Sequence, residues 1–214
     1  MTLGEDKQVL LIDKPQGITS FDVIRRLRRQ TGIFKMGHAG TLDPMASGLM
    51  IIGIEQGTKK LAEYLKLDKT YAAEITLGIL TDTGDVTGNI VERKDVPILS
   101  LNDIRVCLSG MVGVLNLPVP VYSAIKKGGK PLYSYAREGR KVSVPVKKMV
   151  VLDAQLISKN GNVISVEFSV GSGTYIRSLA EEFGRRLGTV ATLSALRRTS
   201  IGPFKVEDAQ ALSS

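Results

Sequence analysis

Hydrophobic and polar residues follow two different periods along the chain, and these periods predict a mixture of strands and helices. Between residues 71 and 77, apolar side chains at every second position are typical of a strand with one buried face. Phe21, Ile24 and Leu27 recur at a spacing of three, which predicts a helix that buries these residues together. A Thr-Ser pair precedes this helix and can cap it, and Gly32 can end it.

Shorter patterns predict the remaining elements. Two apolar runs flank a Lys-Asn-Gly-Asn turn, which is typical of a hairpin. Ser100 and Asp103 have the spacing of a capping box, which places a helix start at Ser100. Because strands and helices are mixed without regular alternation, the pattern favours an α+β fold with a mostly antiparallel sheet. The further strands are predicted at residues 8–13, 49–54, 149–157 and 163–170, and the further helices at residues 58–65, 100–107 and 175–187.

Composition narrows the class of protein. The 214 residues are 43% hydrophobic and 23% charged, which is typical of a globular chain. The sole cysteine and the sole histidine exclude an internal disulfide and the usual Cys/His zinc sites, although carboxylates leave magnesium open. The length, without repeats or a low-complexity linker, predicts one domain over residues 1–214. The first seven residues lack the order of a signal peptide, and no apolar stretch near them is long enough to span a bilayer, so we predict a cytoplasmic protein.

Positive charge is concentrated in one part of the chain. The net charge is +8, and residues 121–150 alone carry eight Lys or Arg against one Glu, together with three of the six tyrosines. Cations interleaved with aromatic rings are typical of a surface for single-stranded or loop RNA, although a solvated loop has the same composition. A second cluster of four arginines, at residues 25–29, lies on the predicted first helix, where a solvated face is an equal alternative. The eight cations are Lys126, Lys127, Lys130, Arg137, Arg140, Lys141, Lys147 and Lys148.

Residues 35–48 contain the densest group of residues suited to a functional site. This segment holds three glycines, His38 and the Asp43-Pro44 step between a predicted helix and a predicted strand. Glycines allow close backbone approaches, and Pro44 keeps Asp43 in an extended conformation, so this loop can direct one carboxylate at a ligand. The alternative is a tight turn in which Asp43 accepts backbone N–H groups.

Residues 37–48 closely resemble the signature of the TruB family of tRNA pseudouridine synthases. Further motifs of that family follow in the expected order over about 190 residues, so the chain is identified as a member. The resemblance implies the pseudouridine synthase fold, in which residues 119–148 form a basic, thumb-like RNA-binding insertion; we call these residues the basic segment. The additional motifs lie at residues 11–20, 69–85, 119–126, 135–139, 173–179 and 196–199.

The family resemblance implies a reaction and its catalytic residues. Members isomerise uridine 55 in the TΨC loop of tRNA to pseudouridine, without redox change or net hydrolysis, so we expect no cofactor and no metal. Asp43 matches the nucleophile, Arg177 the arginine that pairs with it, and Tyr71 the tyrosine that stacks on the flipped uracil and helps to remove the C5 proton. From the residues alone, Arg177 fits a helix-surface or phosphate-binding arginine as well as a salt-bridge role, and the local pattern favours Tyr71 as an ordinary strand aromatic in the core.

The resemblance also implies how RNA is bound. His38 matches the residue that enters the T-loop, where the residues alone allow a simple turn histidine. We expect the T-arm of tRNA as partner, no membrane, no obligate protein partner, and a monomer. Further positions that match RNA contacts are Tyr175 and Leu196 in the uracil pocket, Lys59 at a phosphate, and Lys126, Lys127, Lys130 and Arg137 in the basic segment. Asp85 could order the loop beside the active site.

One departure and two alternatives complete the prediction. Many bacterial relatives continue into a small C-terminal PUA domain, whereas this sequence stops at Ser214, so we expect no PUA domain and less oriented tRNA binding. The first alternative is a non-catalytic tRNA-binding or tRNA-folding chaperone, which would not need Asp43. The second is a pseudouridine synthase that acts on a different RNA uridine.

Overall fold

The computed structural model describes residues 8–138, 140 and 142–212. The chain forms two compact units: the first comprises the residues up to Ala72 and those from Leu196 onward, and the second comprises residues 73–195. The expectation for the first seven residues lies outside the described residues, and so does Lys141. The prediction of one catalytic domain stays a prediction.

Strands and helices are mixed along the chain, which confirms the α+β class. The helices are α1 (Ser20–Thr31), α2 (Leu61–Lys66), α3 (Leu101–Ser109), α4 (Leu132–Arg137) and α5 (Ile176–Arg186), with 3-10 turns at Glu55–Lys60 and Val206–Asp208. The strands are β1 (Val9–Lys14), β2 (Met36–His38), β3 (Ser47–Ile54), β4 (Lys69–Leu77), β5 (Ile79–Thr81), β6 (Ile90–Arg93), β7 (Gly113–Pro118), β8 (Lys126–Lys127), β9 (Lys130–Pro131), β10 (Val146–Asn160), β11 (Val163–Val170), β12 (Ala191–Ile201), β13 (Phe204–Lys205) and β14 (Gln210–Ala211).

The first unit is built around β3. Its strand order is β14-β1-β3-β12, in which β1 pairs antiparallel with β3 and β12 pairs parallel with it. Because β3 is central, seven of its eight residues are buried, as expected for a strand covered on both faces. Its core includes Leu49, Ile51 and Ile201, and β2 pairs antiparallel with the end of β3. The sheet thereby places β1 on one side of β3 and β12 on the other, next to Ser47 and Gly48 at the end of the 37–48 motif.

The second unit contains the strand order β4-β11-β10-β7, with α3 and α5 as its longest helices. The predicted hairpin is confirmed: β10 and β11 pair antiparallel, with Asn160 opposite Val163 at the turn. The capping box at Ser100 is confirmed as well, because its hydroxyl accepts the Asp103 N–H and the Asp103 carboxylate accepts the Ser100 N–H. Met149 and Val151 of β10 are fully buried in this unit.

Two local expectations need correction. Phe21 is 56% exposed, and Val23 lies with Ile24 and Leu27 on the buried face of α1 instead. The helix predicted at residues 58–65 is a 3-10 turn followed by the short helix α2. In α1, a spacing of three places Phe21 at the edge of the buried face. Whether a residue at this edge is buried depends on how the helix packs against the rest of the unit.

No helix within the described ranges is both long enough and apolar enough to cross a bilayer.

Candidate active site

The loop between β2 and β3 holds Asp43, and the residues on both sides of it are anchored. The Ser20 hydroxyl, at the start of α1, accepts the Leu42 N–H at 2.8 Å and donates to the Leu42 carbonyl at 3.1 Å. On the other side, the Pro44 carbonyl accepts the Gly17 N–H at 2.8 Å. Asp43 itself is half-buried, and its own carbonyl accepts the Ala46 N–H at 3.0 Å. These hydrogen bonds therefore fix the backbone on both sides of Asp43.

A buried ammonium group reinforces this loop. Lys14 is fully buried, and its Nζ donates to the carbonyls of Ala46 at 2.6 Å, Ile18 at 2.7 Å and Pro15 at 2.9 Å. Burial lowers the pKa of Lys14 from 10.5 to about 8, although the negative charge of Asp43 raises it. At neutral pH the ammonium is still mostly protonated, so a positive charge lies beneath the Asp43 loop.

A second buried cation is hydrogen-bonded to residues on both sides of the Asp43 loop. Arg198 of β12 is 1% exposed, and its guanidinium donates to the carbonyls of Leu49 at 2.7 Å and Gly40 at 3.1 Å. Gly48 is required here, because its φ is +107° and a Cβ would lie 2.3 Å from the Arg198 carbonyl oxygen. The neighbouring Arg197 instead forms a two-pronged ion pair with Asp13, at 2.7 and 3.0 Å.

His38 is held uncharged in the same unit. It lies in β2 opposite Ile52 and is half-buried. Burial lowers its pKa, and the positive charge of Arg198 lowers the pKa further. Its Nδ1 is buried and has no hydrogen-bond partner among the residues that the structure describes. The imidazole is therefore neutral at pH 7 and has one unused polar atom.

The other predicted residues of the first unit differ in exposure. Tyr71 in β4 and Leu196 in β12 are each 7% exposed, which suits apolar contact more than solvent contact. Lys59 lies in the 3-10 turn after β3 and is exposed. Lys69, two residues before Tyr71 in β4, is a further buried cation. Burial lowers the pKa of Lys69 to about 8.

Arg177 in the second unit is buried and tightly held, so it is not a helix-surface arginine. It is 5% exposed, and its guanidinium donates to the carbonyls of Thr83 at 2.9 Å and Tyr122 at 3.0 Å. The Asp85 carboxylate lies 3.8 Å from Nη1 and is itself only 6% exposed. Asp85 in turn accepts the N–H of Thr87 at 3.0 Å, which stabilises the loop beside Arg177. The guanidinium plane is therefore fixed by three groups from two loops.

The basic segment contains the short β8–β9 hairpin followed by α4. The Tyr135 ring lies between two cations, with the Lys130 ammonium and the Arg140 guanidinium each 5.3 Å from its centre. Lys126 is exposed, whereas the ammonium of Lys127, also an exposed residue, donates to the Ser143 carbonyl. The side chain of Arg137 lies outside the described part of the structure.

Tyr175 immediately precedes α5 as its N-terminal capping residue, so the helix predicted from Tyr175 begins one residue later. The Lys147 ammonium lies 5.9 Å from the centre of the Tyr175 ring. Lys147 also donates to the Gly173 carbonyl at 3.4 Å. A cation from the basic segment and the tyrosine therefore lie together in the second unit.

Sequence reasoning overlooked the buried cations Lys14, Lys69 and Arg198. All three occur inside motifs, but a lysine or arginine in a sequence is ordinarily expected at the surface. Within residues 8–138, 140 and 142–212, no group of three or more His, Cys, Asp or Glu side chains has an arrangement that could hold a metal ion.

Comparisons with known proteins identify the family. The model of the "TruB family pseudouridylate synthase (N terminal domain)" matches residues 28–176. The tRNA pseudouridine synthase B of Bordetella avium is 42% identical over 206 residues, which cover 95% of this chain and 84% of that protein. The protein of the same name from Chromohalobacter salexigens is 42% identical over 205 residues, or 96% of this chain and 67% of that protein.

Solved structures show the same fold. A chain in the crystal structure of a Cbf5-Nop10-Gar1 complex has a TM-score of 0.73 and 29% identity, over 95% of this chain and 52% of that chain. A chain of an H/ACA RNP bound to a substrate RNA containing 2'-deoxyuridine has a TM-score of 0.71 and 27% identity, over 95% of this chain and 50% of that chain. The protein thus spans about half the length of these solved chains. Since the family model covers well over half of the sequence and relatives exceed 40% identity, the motifs were interpreted correctly: the chain belongs to the TruB family of pseudouridylate synthases.

Proposed function

We propose that this protein isomerises uridine 55 in the TΨC loop of tRNA to pseudouridine, with Asp43 as the nucleophile. The observation that carries this proposal is the anchored loop, in which Ser20 holds Leu42 and Lys14 holds Ala46 on either side of Asp43. A carboxylate held in this way, with buried cations nearby, is suited to attack rather than to capping a turn. The relatives named tRNA pseudouridine synthase B support tRNA as the substrate class.

The chemistry requires no external reactant. A covalent adduct between Asp43 and the nucleoside allows the bond between N1 and the ribose C1′ to break, after which the base turns, C5 bonds to C1′, and the bond to Asp43 breaks to restore the free carboxylate. The proton leaves C5 and N1 ends protonated, so atoms and electrons balance. A covalent intermediate divides one difficult step into two easier ones.

Arg177 is proposed to act on the nucleophile through geometry as well as charge. Arg177→Lys keeps the charge but removes the fork that contacts Thr83 and Tyr122, so we expect the single-turnover rate to fall by roughly 10²-fold. Arg185→Lys, on the exposed side of α5, is the matched control and should retain the rate. A near-normal rate for Arg177→Lys would show that the guanidinium geometry is unimportant.

Tyr71 is proposed to stack on the uracil and to help in removing the C5 proton. Tyr71→Phe keeps the ring and loses the hydroxyl, so tRNA binding should be retained while the rate falls by about 10²-fold or more. Tyr64→Phe is the control, because the Tyr64 ring packs edge-on against Phe204 in the core of the same unit. If the Tyr71→Phe variant has the wild-type rate, the hydroxyl is not needed and only the stacking role remains.

RNA binding is proposed to use both units. The uncharged His38 is suited to insertion among bases, and the buried positions of Tyr71 and Leu196 suit contact with an apolar ring face. Phosphate contacts are assigned to the cations of the basic segment and to Lys59.

We further propose that the protein acts as a monomer in the cytoplasm. Size-exclusion chromatography with light scattering tests whether it is a monomer.

The decisive experiment is tritium release from tRNA labelled at C5 of uridine, followed by mapping of the modified position. Release with modification at position 55 is the expected result. Binding of tRNA without release would favour the chaperone alternative, and release with modification elsewhere would favour a different uridine.

A further inference from the structure

Helix α1 has one buried side and one strongly basic side. Val23, Ile24 and Leu27 are buried against the first unit. The opposite side is exposed or half-exposed and carries Asp22 together with five residues that we call the arginine face: Phe21, Arg25, Arg26, Arg28 and Arg29. This cluster is separate from the basic segment and has no role in the function proposed above.

The charges of the arginine face are poorly balanced within the protein. Asp22 is the single acid of α1, and its carboxylate already accepts the Thr19 N–H and pairs with Arg25. Among the described residues, no carboxylate forms an ion pair with Arg26, Arg28 or Arg29. Cations in the last turn stabilise a helix, which explains Arg28 and Arg29 but not the two arginines before them. Like charges four positions apart, as at Arg25 and Arg29, are unfavourable until a polyanion binds.

Phe21 adds an aromatic surface to this face. Its ring is exposed, and the guanidinium carbons of Arg25 and Arg28 each lie 5.9 Å from the ring centre. Exposed aromatic rings beside guanidinium groups are typical of surfaces on which bases stack while phosphates pair with the cations.

The arginine face adjoins the residues proposed to bind the substrate. Arg28 donates to the carbonyl of Met36 at 3.4 Å, and Met36 begins the strand that carries His38 two residues later. At the other end of α1, Ser20, on the buried side of the helix, holds Leu42 directly before Asp43. Arg28 therefore places the edge of the arginine face beside the strand that carries His38, in the same unit as Asp43.

We propose that the arginine face binds the sugar-phosphate backbone of the substrate RNA next to the modified loop. This inference rests on the proposed function, because the substrate supplies the polyanion. It assigns to α1 a contact that is independent of the basic segment.

The test measures the affinity for a fluorescently labelled, unmodified tRNA transcript as salt rises from about 50 to 200 mM. Arg25→Gln combined with Arg29→Gln should lower the affinity about tenfold and reduce the slope of log K against log salt by about 1.4 to 1.8, since each phosphate contact contributes roughly 0.7 to 0.9. The control, Arg105→Gln combined with Lys159→Gln, also removes two exposed charges but in the second unit, and should change the slope much less. Arg25→Lys combined with Arg29→Lys should retain the slope.

Two readouts keep this inference separate from the proposed function. If the Arg25/Arg29 glutamine pair and the control pair have the same affinity and slope, the arginine face does not bind RNA. At sub-saturating tRNA, tritium release by the glutamine pair should fall in step with its affinity, because both arginines are proposed to contact the substrate. If the wild type binds tRNA but releases no tritium, the proposed function is wrong, while the slope comparison still decides the role of the arginine face.

Discussion

Replacing Asp43 with asparagine is expected to abolish pseudouridine formation, lowering the rate by about 10⁴-fold or more. Asparagine has nearly the same shape, so the loop held by Ser20 and Lys14 should persist, but an amide oxygen is a far weaker nucleophile than a carboxylate. Binding of tRNA should change by less than about threefold, well under the tenfold that corresponds to 1.4 kcal/mol. The rate is measured by tritium release in single turnover, and binding by the fluorescence titration described above.

Asp95→Asn is the matched control for this experiment. Asp95 is an exposed carboxylate of the second unit and should tolerate the change without loss of rate. If Asp43→Asn retained more than a few per cent of the wild-type rate, the nucleophilic role would be excluded. Loss of both binding and rate would instead indicate that the loop itself had collapsed, which a thermal melt of the variant would reveal.

Replacing Lys14 with methionine is expected to lower the free energy of unfolding by about 3 kcal/mol at pH 7. Methionine has a similar length, but it leaves the carbonyls of Ala46, Ile18 and Pro15 without their donor in a fully buried place. Chemical denaturation measures the change. Lys66→Met, at an exposed position of α2, is the control and should change stability by less than about 0.5 kcal/mol.

The same variant should remove a specific pH dependence. The Lys14 pKa is about 8 in the folded protein and near 10.5 when unfolded, so between these values the unfolded state binds the additional proton. Stability contributed by this residue therefore rises with pH from 8 to 10.5, by up to about 3 kcal/mol, and is flat below pH 8. The difference in unfolding free energy between wild type and Lys14→Met should follow this rise. A difference that is constant over the whole range would place the Lys14 pKa at its ordinary value.

Arg177 and Asp85 show how burial changes the interpretation of a charged residue. In sequence, an arginine at the start of an amphipathic helix fits a surface position. In the structure its guanidinium is buried against the carbonyls of Thr83 and Tyr122 and faces a buried carboxylate. Three fixed partners leave the guanidinium little freedom of rotation, which is the property that a positioning role requires.

The sequence by itself determined several of the elements, the family and the position of the loop that holds Asp43. The period in β4, the cap before α1, the capping box before α3 and the Asn-Gly turn of β10–β11 are local signals, because each depends on residues a few positions apart. The motifs were sufficient to identify the family for the same reason: a run of residues in order is visible without a fold.

Only the tertiary structure decided which charged side chains are buried. Lys14 donates to a carbonyl 32 positions away, and Arg198 to one 149 positions away, so no local window of sequence contains both partners. Whether a buried cation stabilises or destabilises the folded state depends on the dielectric surroundings and on the hydrogen-bond acceptors that distant segments bring to it. The position of Phe21 outside the core has the same origin, since a helix pattern defines a face but only packing defines how wide that face is.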